Sequence, residues 1–455
     1  MTSILIIALF SFLAFYPTLK YKEVVDDNRR LQRGIKYKLK WDLDYLAEMF
    51  YGAGTVEPLW LDHLLTICLH TLSCVLIYVC FGSTPSSFIA AVIYCILPTN
   101  LQTSVWLNGR RYIINVILCL LIVTFKPWGI LLYPLTPLFQ INALLVPLYY
   151  LPEHWYLLFL IPAFPFLFRG RMMNVFKTRK AKYKSSCELQ TIKPKKLIIM
   201  IKTYGHYFTR CLMPCNHAFY PEFIQYYAIT KEGLKDAYAI NKDFLRGVGC
   251  LFTISFLIVH YWSTPVAFGL GWWLLFTLQF TNAYTITQTA ADRYMALPNV
   301  GLCLALGYLL QSSPILLCII LVYYSSVFCK AKTQYKDLEY FFKYQMFNHP
   351  EVAAPFLYYG KICFKRDSIY EGIINLKHGW AYNSKDFGYN LLMAKMFLRS
   401  RHIENFPEYF SYAVKEQNQQ TYLSPEAIQE SLDKTLEHYK KWEVLNGQVK
   451  RKVNQ

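Results

Sequence analysis

Long apolar runs separated by short polar breaks fill the first 329 positions, and the pattern changes after that. A helix needs about 20 apolar residues to cross a bilayer. Runs of that kind, or somewhat shorter, occupy 4–19, 60–81, 86–98, 112–125, 128–141, 142–152, 154–168, 244–262, 265–285, 298–311 and 314–329. The pattern predicts an all-α polytopic membrane protein with about eleven transmembrane helices. Several runs are cut by proline: Pro98, Pro127, Pro134, Pro137, Pro147, Pro152, Pro162 and Pro165. Interrupted backbone at membrane depth is tolerated only where protein or a wet cavity surrounds it. The middle of the chain is therefore expected to line a cavity.

Three segments are polar: 20–58, 169–243 and 330–455. The first two read as loops of a transmembrane domain, 1–329. The third, 330–455, reads as a separate helical domain with a repeat. Tyr359-Gly360 and Met393-Ala394 stand 34 residues apart, and Leu376 with Phe410, then Gly379 with Ala413, keep the same spacing. Small and large residues alternating at that period resemble tetratricopeptide repeats, with 425–442 as a closing helix. The proline usual at the repeat end is absent, and Ser384 and Asn418 take its place.

Composition strengthens the membrane reading. Hydrophobic residues make up 55% of the 455 positions and charged residues 17%, against about 25% charged in soluble proteins. The net charge of +18 points to anionic lipid headgroups or a phosphorylated substrate. No nucleic-acid-binding motif accompanies it. Many of the 13 cysteines, Cys74, Cys95, Cys119 and Cys303 among them, fall inside apolar runs and read as small apolar residues. Cys211, Cys215 and His217 read the same way rather than as a metal cluster.

Residues 4–19 read as an uncleaved first membrane helix. With a cytoplasmic N-terminus, eleven spans place 20–58, the turn at 99–111, 169–243, 286–297 and the C-terminal domain together on the extracytoplasmic side. That grouping runs against the preference of the basic stretch at 169–202 for the cytoplasm. The modest length points to a bacterial inner membrane rather than the endoplasmic reticulum.

Four stretches carry residues fit for chemistry. Asp26 and Asp27 follow the first apolar run, where a carboxylate pair can act as general base or hold a divalent metal such as Mg or Mn. Arg110 and Arg111 sit between two apolar runs with no carboxylate beside them in sequence. A guanidinium in that setting calls for an anion elsewhere in the fold or on a ligand, and its forked donors suit phosphate. Snorkelling to headgroups is the plainer reading. Asp292 and Arg293 open another apolar run, paired with each other or with Arg293 facing the same cavity as Arg110. The aromatic stretch 204–223, with Tyr207, His206, Arg210 and His217, reads as an interfacial helix.

These stretches resemble, in order, four motifs of the GT-C class membrane glycosyltransferases that carry tetratricopeptide repeats, a group that includes the transmembrane and tetratricopeptide-repeat O-mannosyltransferases. Asp26-Asp27 resembles the family's acidic pair in the first outer loop. "LPTNLQTSVWLNGRRY" shares Pro98, Val105, Trp106, Gly109 and Arg110 with its second motif. "YFTRCLMPCNHAFYP" shares Tyr207, Pro214, Tyr220 and Pro221 with its third, and "ADRYMALPNVGL" follows its fourth almost letter for letter. Departures exist. The family's Asp two residues after the motif arginine is Tyr112 here, and its lysine motif is missing from "LTPLFQIN".

The resemblance implies an inverting glycosyltransferase that moves a sugar from a polyprenyl-phosphate donor to a protein or surface-glycan acceptor on the extracytoplasmic face. It implies Asp26 or Asp27 as catalytic base, Arg110, Arg293 and Arg210 on the donor phosphate, and Asp292, Tyr294, Trp106 and Tyr207 in support. The alternative is a non-enzymatic membrane protein, either a lipid-linked glycan transporter or a degenerate partner-binding relative.

Overall fold

The computed structural model of the chain describes residues 1–22, 59–125, 128–136, 145–146, 193–214, 239–281, 290–350, 352–381, 387–400, 403–416 and 425–453. Among these, every regular element is helical. The chain forms two compact units, divided between Phe341 and Phe342 inside the helix Leu338–Asn348.

Among the described residues, the first unit is built from nine longer helices: α1 (Thr2–Phe15), α2 (Leu59–Cys80), α3 (Pro85–Ile96), α4 (Arg110–Thr124), α5 (Lys193–Leu212), α6 (Lys242–His260), α7 (Pro265–Thr277), α8 (Ala296–Leu310) and α9 (Pro314–Lys332). Five described stretches are long and apolar enough to cross a membrane: Thr2–Lys20, Leu59–Cys80, Lys242–His260, Asp292–Leu310 and Pro314–Tyr335. The expected runs at 86–98 and 112–125 form shorter helices, of 12 and 15 residues. The start of the expected span 128–141 is instead a 3-10 helix, Trp128–Leu135, interrupted in sequence by Pro134. A proline lacks the N–H that a continuing α-helix requires.

Two helix starts repeat one local device. Ser83-Thr84-Pro85 and Ser263-Thr264-Pro265 each turn the chain with a left-handed serine, at φ 55° and 68°. The threonine then caps the helix and proline takes the first turn. Thr84 accepts from the Ser87 N–H at 3.2 Å and Thr264 from the Val266 N–H at 3.3 Å. The threonine oxygens satisfy N–H groups that the helix leaves open, and the proline has none to satisfy.

Helix α8 is the buried centre. It packs on α7 and on α3, and glycines let the backbones approach. A Cβ on Gly301 would strike the Gly269 carbonyl, and one on Gly307 the Ser86 carbonyl. Small residues at helix crossings are how apolar bundles gain close packing when hydrophobic burial between helices is weak. In contrast, α1 exposes Leu5, Leu9 and Leu13, α6 exposes Leu245, Phe252 and Val259, and α9 exposes Ile315, Ile319 and Val322. These apolar faces are suited to lipid.

The second unit contains α10 (Ala353–Arg366), α11 (Ile369–Trp380), α12 (Phe387–Arg399), α13 (Phe406–Glu416) and α14 (Pro425–Val453). Helices α10 and α11 form a pair, as do α12 and α13. Gly360 of α10 admits the Leu376 side chain of α11. Leu391, Ala413, Ile428 and Leu432 form a core joining α12, α13 and α14.

Candidate functional site

A polar layer runs through the first unit, where apolar helices surround it. Helix α2 supplies one side. Asp62, Thr66, His70 and Ser73 lie along one buried face at near-helical spacing. The segment joining α3 to α4 supplies the centre. Its polarity suggests an outer turn, but the structure buries it in the body of the unit. Three short helical pieces, Pro98–Asn100, Leu101–Ser104 and Leu107–Gly109, carry it inward. Gly109 permits this path, because a Cβ there would strike the Gln102 carbonyl oxygen and the Thr103 backbone. The segment's polar side chains find partners inside, which is the condition for non-helical backbone at this depth. Asn299 of α8 donates to Thr99 Oγ1 at 3.0 Å and Asn100 Oδ1 at 2.9 Å. Asn100 in turn donates to the Tyr94 carbonyl at 2.8 Å.

The two arginines at the head of α4 part company. Arg110 is fully buried and forms an ion pair with Asp62 at 2.7 Å, with Nε donating to Thr66 Oγ1 at 3.1 Å. The expected place of Arg110 is on a donor phosphate; among the described residues its guanidinium meets a carboxylate of the chain itself. An anion that answers its charge is Asp62, 48 residues earlier. Asp62 escaped the sequence reading, although a lone carboxylate inside a 22-residue apolar helix is itself a signal.

Arg111, which from sequence alone reads as a snorkelling side chain, turns toward Tyr112. Its Nη2 lies 3.4 Å from the Tyr112 hydroxyl, and Arg293 Nε donates to the same oxygen at 3.2 Å. Arg293 also lies over the Trp106 and Tyr294 rings, at 5.5 Å and 5.0 Å from their centroids. Its backbone N–H donates to Gln102 Oε1 at 2.9 Å. Tyr294 stacks on Phe280 with centroids 4.5 Å apart. Two buried donors at this cluster, Gln102 Nε2 and Arg111 Nε, have no hydrogen-bond partner among the described residues.

Asp292 serves Arg210. The pair is bidentate, with Nε to Oδ1 at 2.5 Å and Nη2 to Oδ2 at 3.0 Å. A forked contact of this kind fixes orientation as well as charge. Tyr207, one helical turn before Arg210, accepts the Ala291 N–H at 3.1 Å and so anchors the entry to Asp292 and Arg293. His206 is half-buried beside this pair, with its Nε2 shielded from solvent. Burial holds its imidazole down to about 3, and the charge of Arg210 adds to the effect. The neutral form is the one present at physiological pH.

The structure thus brings together Trp106, Tyr112, Arg293 and Tyr294, with Tyr207, Arg210 and Asp292 reaching the same stretch of backbone at 290–294. Asp26 and Asp27 lie outside the described residues, as do Cys215 and His217. No family model, curated protein or solved structure matches the chain.

Proposed function

We propose that this polar layer belongs to a membrane glycosyltransferase of the GT-C kind, which takes a sugar from a polyprenyl-phosphate donor. One observation carries the reading. Residues from three of the four motifs, separated by up to 191 positions along the chain, meet around Arg293, and the cluster there holds two cations together with donors of Gln102 and Arg111 that have no described partner. Such a cluster fits an anion. A phosphate is already a good leaving group, so preorganised positive charge does more for its departure than a strong acid would.

In this reading Arg293 and Arg111 hold the donor phosphate, and Gln102 adds a neutral donor. Arg210 and Asp292 position the backbone that presents Arg293. Arg110 and Asp62 fix α4 against α2. Asp26 or Asp27 takes the proton of the acceptor hydroxyl. The acceptor oxygen attacks the anomeric carbon, that carbon's bond to the phosphate oxygen breaks, and the lipid phosphate departs with the electron pair. A divalent Mg or Mn ion on the two aspartates is compatible with their chemistry.

The second unit then acts as a tetratricopeptide-like platform for a protein or glycan acceptor. Its helix α12 starts at Phe387, 34 residues after Ala353 opens α10 (387 − 353). The turn Ile403–Asn405 before α13 starts 34 after Ile369 (403 − 369). Stacked helix pairs at that period form concave binding surfaces. The eleven spans, the extracytoplasmic position of this unit and the bacterial inner membrane belong to the same proposal.

The test is transfer from a polyprenyl-phosphate sugar by the full chain in lipid vesicles. Activity that is lost in Arg293→Gln and in the Asp26→Asn/Asp27→Asn double variant supports the proposal. Unchanged transfer in both sinks it. A second reading, a non-enzymatic membrane protein with a purely structural polar layer, is favoured by the close pairing of Arg110 with Asp62 and Arg210 with Asp292. No transfer by the wild-type chain from any polyprenyl-phosphate sugar would favour it.

A further inference from the structure

A second cluster continues the buried face of α2, one turn beyond Thr66. His70 and Cys74 stand one turn apart on α2, and Cys95 sits at the end of α3. All three are buried, and the imidazole nitrogen and two sulfurs lie within 4.8 Å of one another. His70 Nε2 is 3.9 Å from Cys74 Sγ. Tetrahedral zinc, with bonds of about 2.0 and 2.3 Å to nitrogen and sulfur, needs a nitrogen–sulfur separation of about 3.6 Å. That pair needs a contraction of a few tenths of an ångström, and the widest pair in the cluster, at up to 4.8 Å, needs about 1 Å, a distance side-chain rotation can supply.

The surroundings prepare these groups as ligands. His70 Nδ1 lies 3.1 Å from Ser104 Oγ, whose own proton goes to the Asn100 carbonyl at 2.9 Å. Ser104 therefore accepts from Nδ1–H, and that tautomer leaves the Nε2 lone pair facing the sulfurs. The Cys95 carbonyl competes for a proton on Nε2, but at 3.4 Å it is the longer and weaker contact. A metal-binding histidine whose other nitrogen is held this way is oriented for coordination. Ser11 of α1 accepts a hydrogen bond from Thr71 at 3.1 Å and interacts with both thiols. Its proton is available to a sulfur that has become a thiolate. One divalent ion with two thiolates and a neutral imidazole carries no net charge, which suits an apolar interior.

We infer that His70, Cys74 and Cys95 form a zinc site that clasps α2 to α3, with Ser104 and Ser11 as its outer supports. Nitrogen and sulfur ligands at these spacings match zinc, and binding would release the two thiol protons. Three protein ligands leave the fourth tetrahedral position to a water molecule. The site is independent of the glycosyl-transfer reading and stands or falls without it.

The full chain is purified in detergent under reducing conditions, loaded with zinc, passed through a chelating column and analysed for metal content. About one zinc per chain is expected. It should fall to background in Cys74→Ser/Cys95→Ser and persist in Cys119→Ser, whose buried thiol lies outside the cluster. Wild-type protein loaded with cobalt provides a readout that needs no variant to fold: thiolate-to-cobalt charge-transfer absorption is expected. Absence of that absorption, zinc content unchanged in the double variant, or a Cys74–Cys95 disulfide found by mass analysis after alkylation without reduction would each overturn the proposal.

Discussion

Arg110 and Arg111 are neighbours in sequence, yet they enter two different kinds of electrostatic environment. Arg110 meets a full carboxylate, and both partners of the pair are completely buried. Arg111 meets a phenol oxygen that Arg293 also approaches. At the first locus opposite charges are matched. At the second, two guanidinium groups converge on one phenol oxygen. Arg110 thus joins α4 to α2, while Arg111 and Tyr112 border the candidate anion site.

The sharpest way to break this comparison is to uncover Arg110. Asp62→Ala removes the carboxylate from a buried cation, a change that costs about 3–5 kcal/mol. Replacing the pair together, Asp62→Leu/Arg110→Met, should recover most of that loss, because two apolar groups of similar size need no compensation. Denaturant unfolding in detergent, read by tryptophan fluorescence, measures both. A double variant as unstable as the single would show that Arg110 has a role beyond neutralising Asp62.

Under the proposed function, the expected effect at the second locus is on transfer rather than stability. Arg293→Gln should lower the transfer rate by about 100- to 1,000-fold, the loss typical of one preorganised charge-stabilising donor. The same change should shift the unfolding midpoint less than Asp62→Ala does. Steady-state transfer from a polyprenyl-phosphate sugar, compared with the unfolding curve of the same variant, separates the two loci. Equal damage to stability at both would erase the distinction.

How much of this was legible in the sequence depends on the range of each interaction. The helix starts at Ser83-Thr84-Pro85 and Ser263-Thr264-Pro265 rest on contacts two or three residues apart, so their chemistry is visible in a short window. Apolar run length likewise foretold five stretches capable of crossing a membrane. The path of 97–109 was not legible. Its polar residues look like an exposed turn until Asn299, about 200 positions later, supplies hydrogen bonds inside. The assignment of Asp292 to Arg210 rather than to adjacent Arg293 is hidden for the same reason. Adjacent residues in a 3-10 turn point in different directions, and a carboxylate pairs with whichever cation the fold places before it. Cys74 and Cys95 look like small apolar residues in their own runs, and only the packing of α2 on α3 brings them together with His70.

The Arg210–Asp292 pair offers a milder probe through His206. Its folded-state value of about 3 lies below the ordinary value of 6.5. The unfolded chain therefore binds the extra proton between those limits, and this contribution to stability is complete above pH 6.5 and is lost as pH falls toward 3. At pH 5 the loss amounts to about 2 kcal/mol. His206→Asn should flatten the dependence between pH 7 and pH 5 relative to wild type. Parallel stability curves for the two proteins would show that His206 is free to ionise in the folded state.

Tyr112→Phe is expected to have the smallest effect and to decide what the mismatch means. The substitution keeps the ring between Arg111 and Tyr294 and removes only the oxygen shared by Arg111 and Arg293. A hydrogen bond to a charged donor contributes about 1.5–3 kcal/mol, and the two guanidinium groups would recover part of that by finding other acceptors. A net change of about 1 kcal/mol in stability is expected. If the oxygen merely occupies donors that a phosphate would otherwise take, the phenylalanine variant leaves them open and the KM for the lipid-phosphate donor falls, with little change in kcat. If the oxygen positions Arg293 for the phosphate, KM rises several-fold and Tyr112→Asp, which restores an acceptor and adds a charge, recovers binding. The family residue would then be tolerated here, and Tyr112 would be a replacement for the aspartate in the same positioning task. Failure of both substitutions to move KM would remove Tyr112, and with it the Arg111–Arg293 locus, from donor binding.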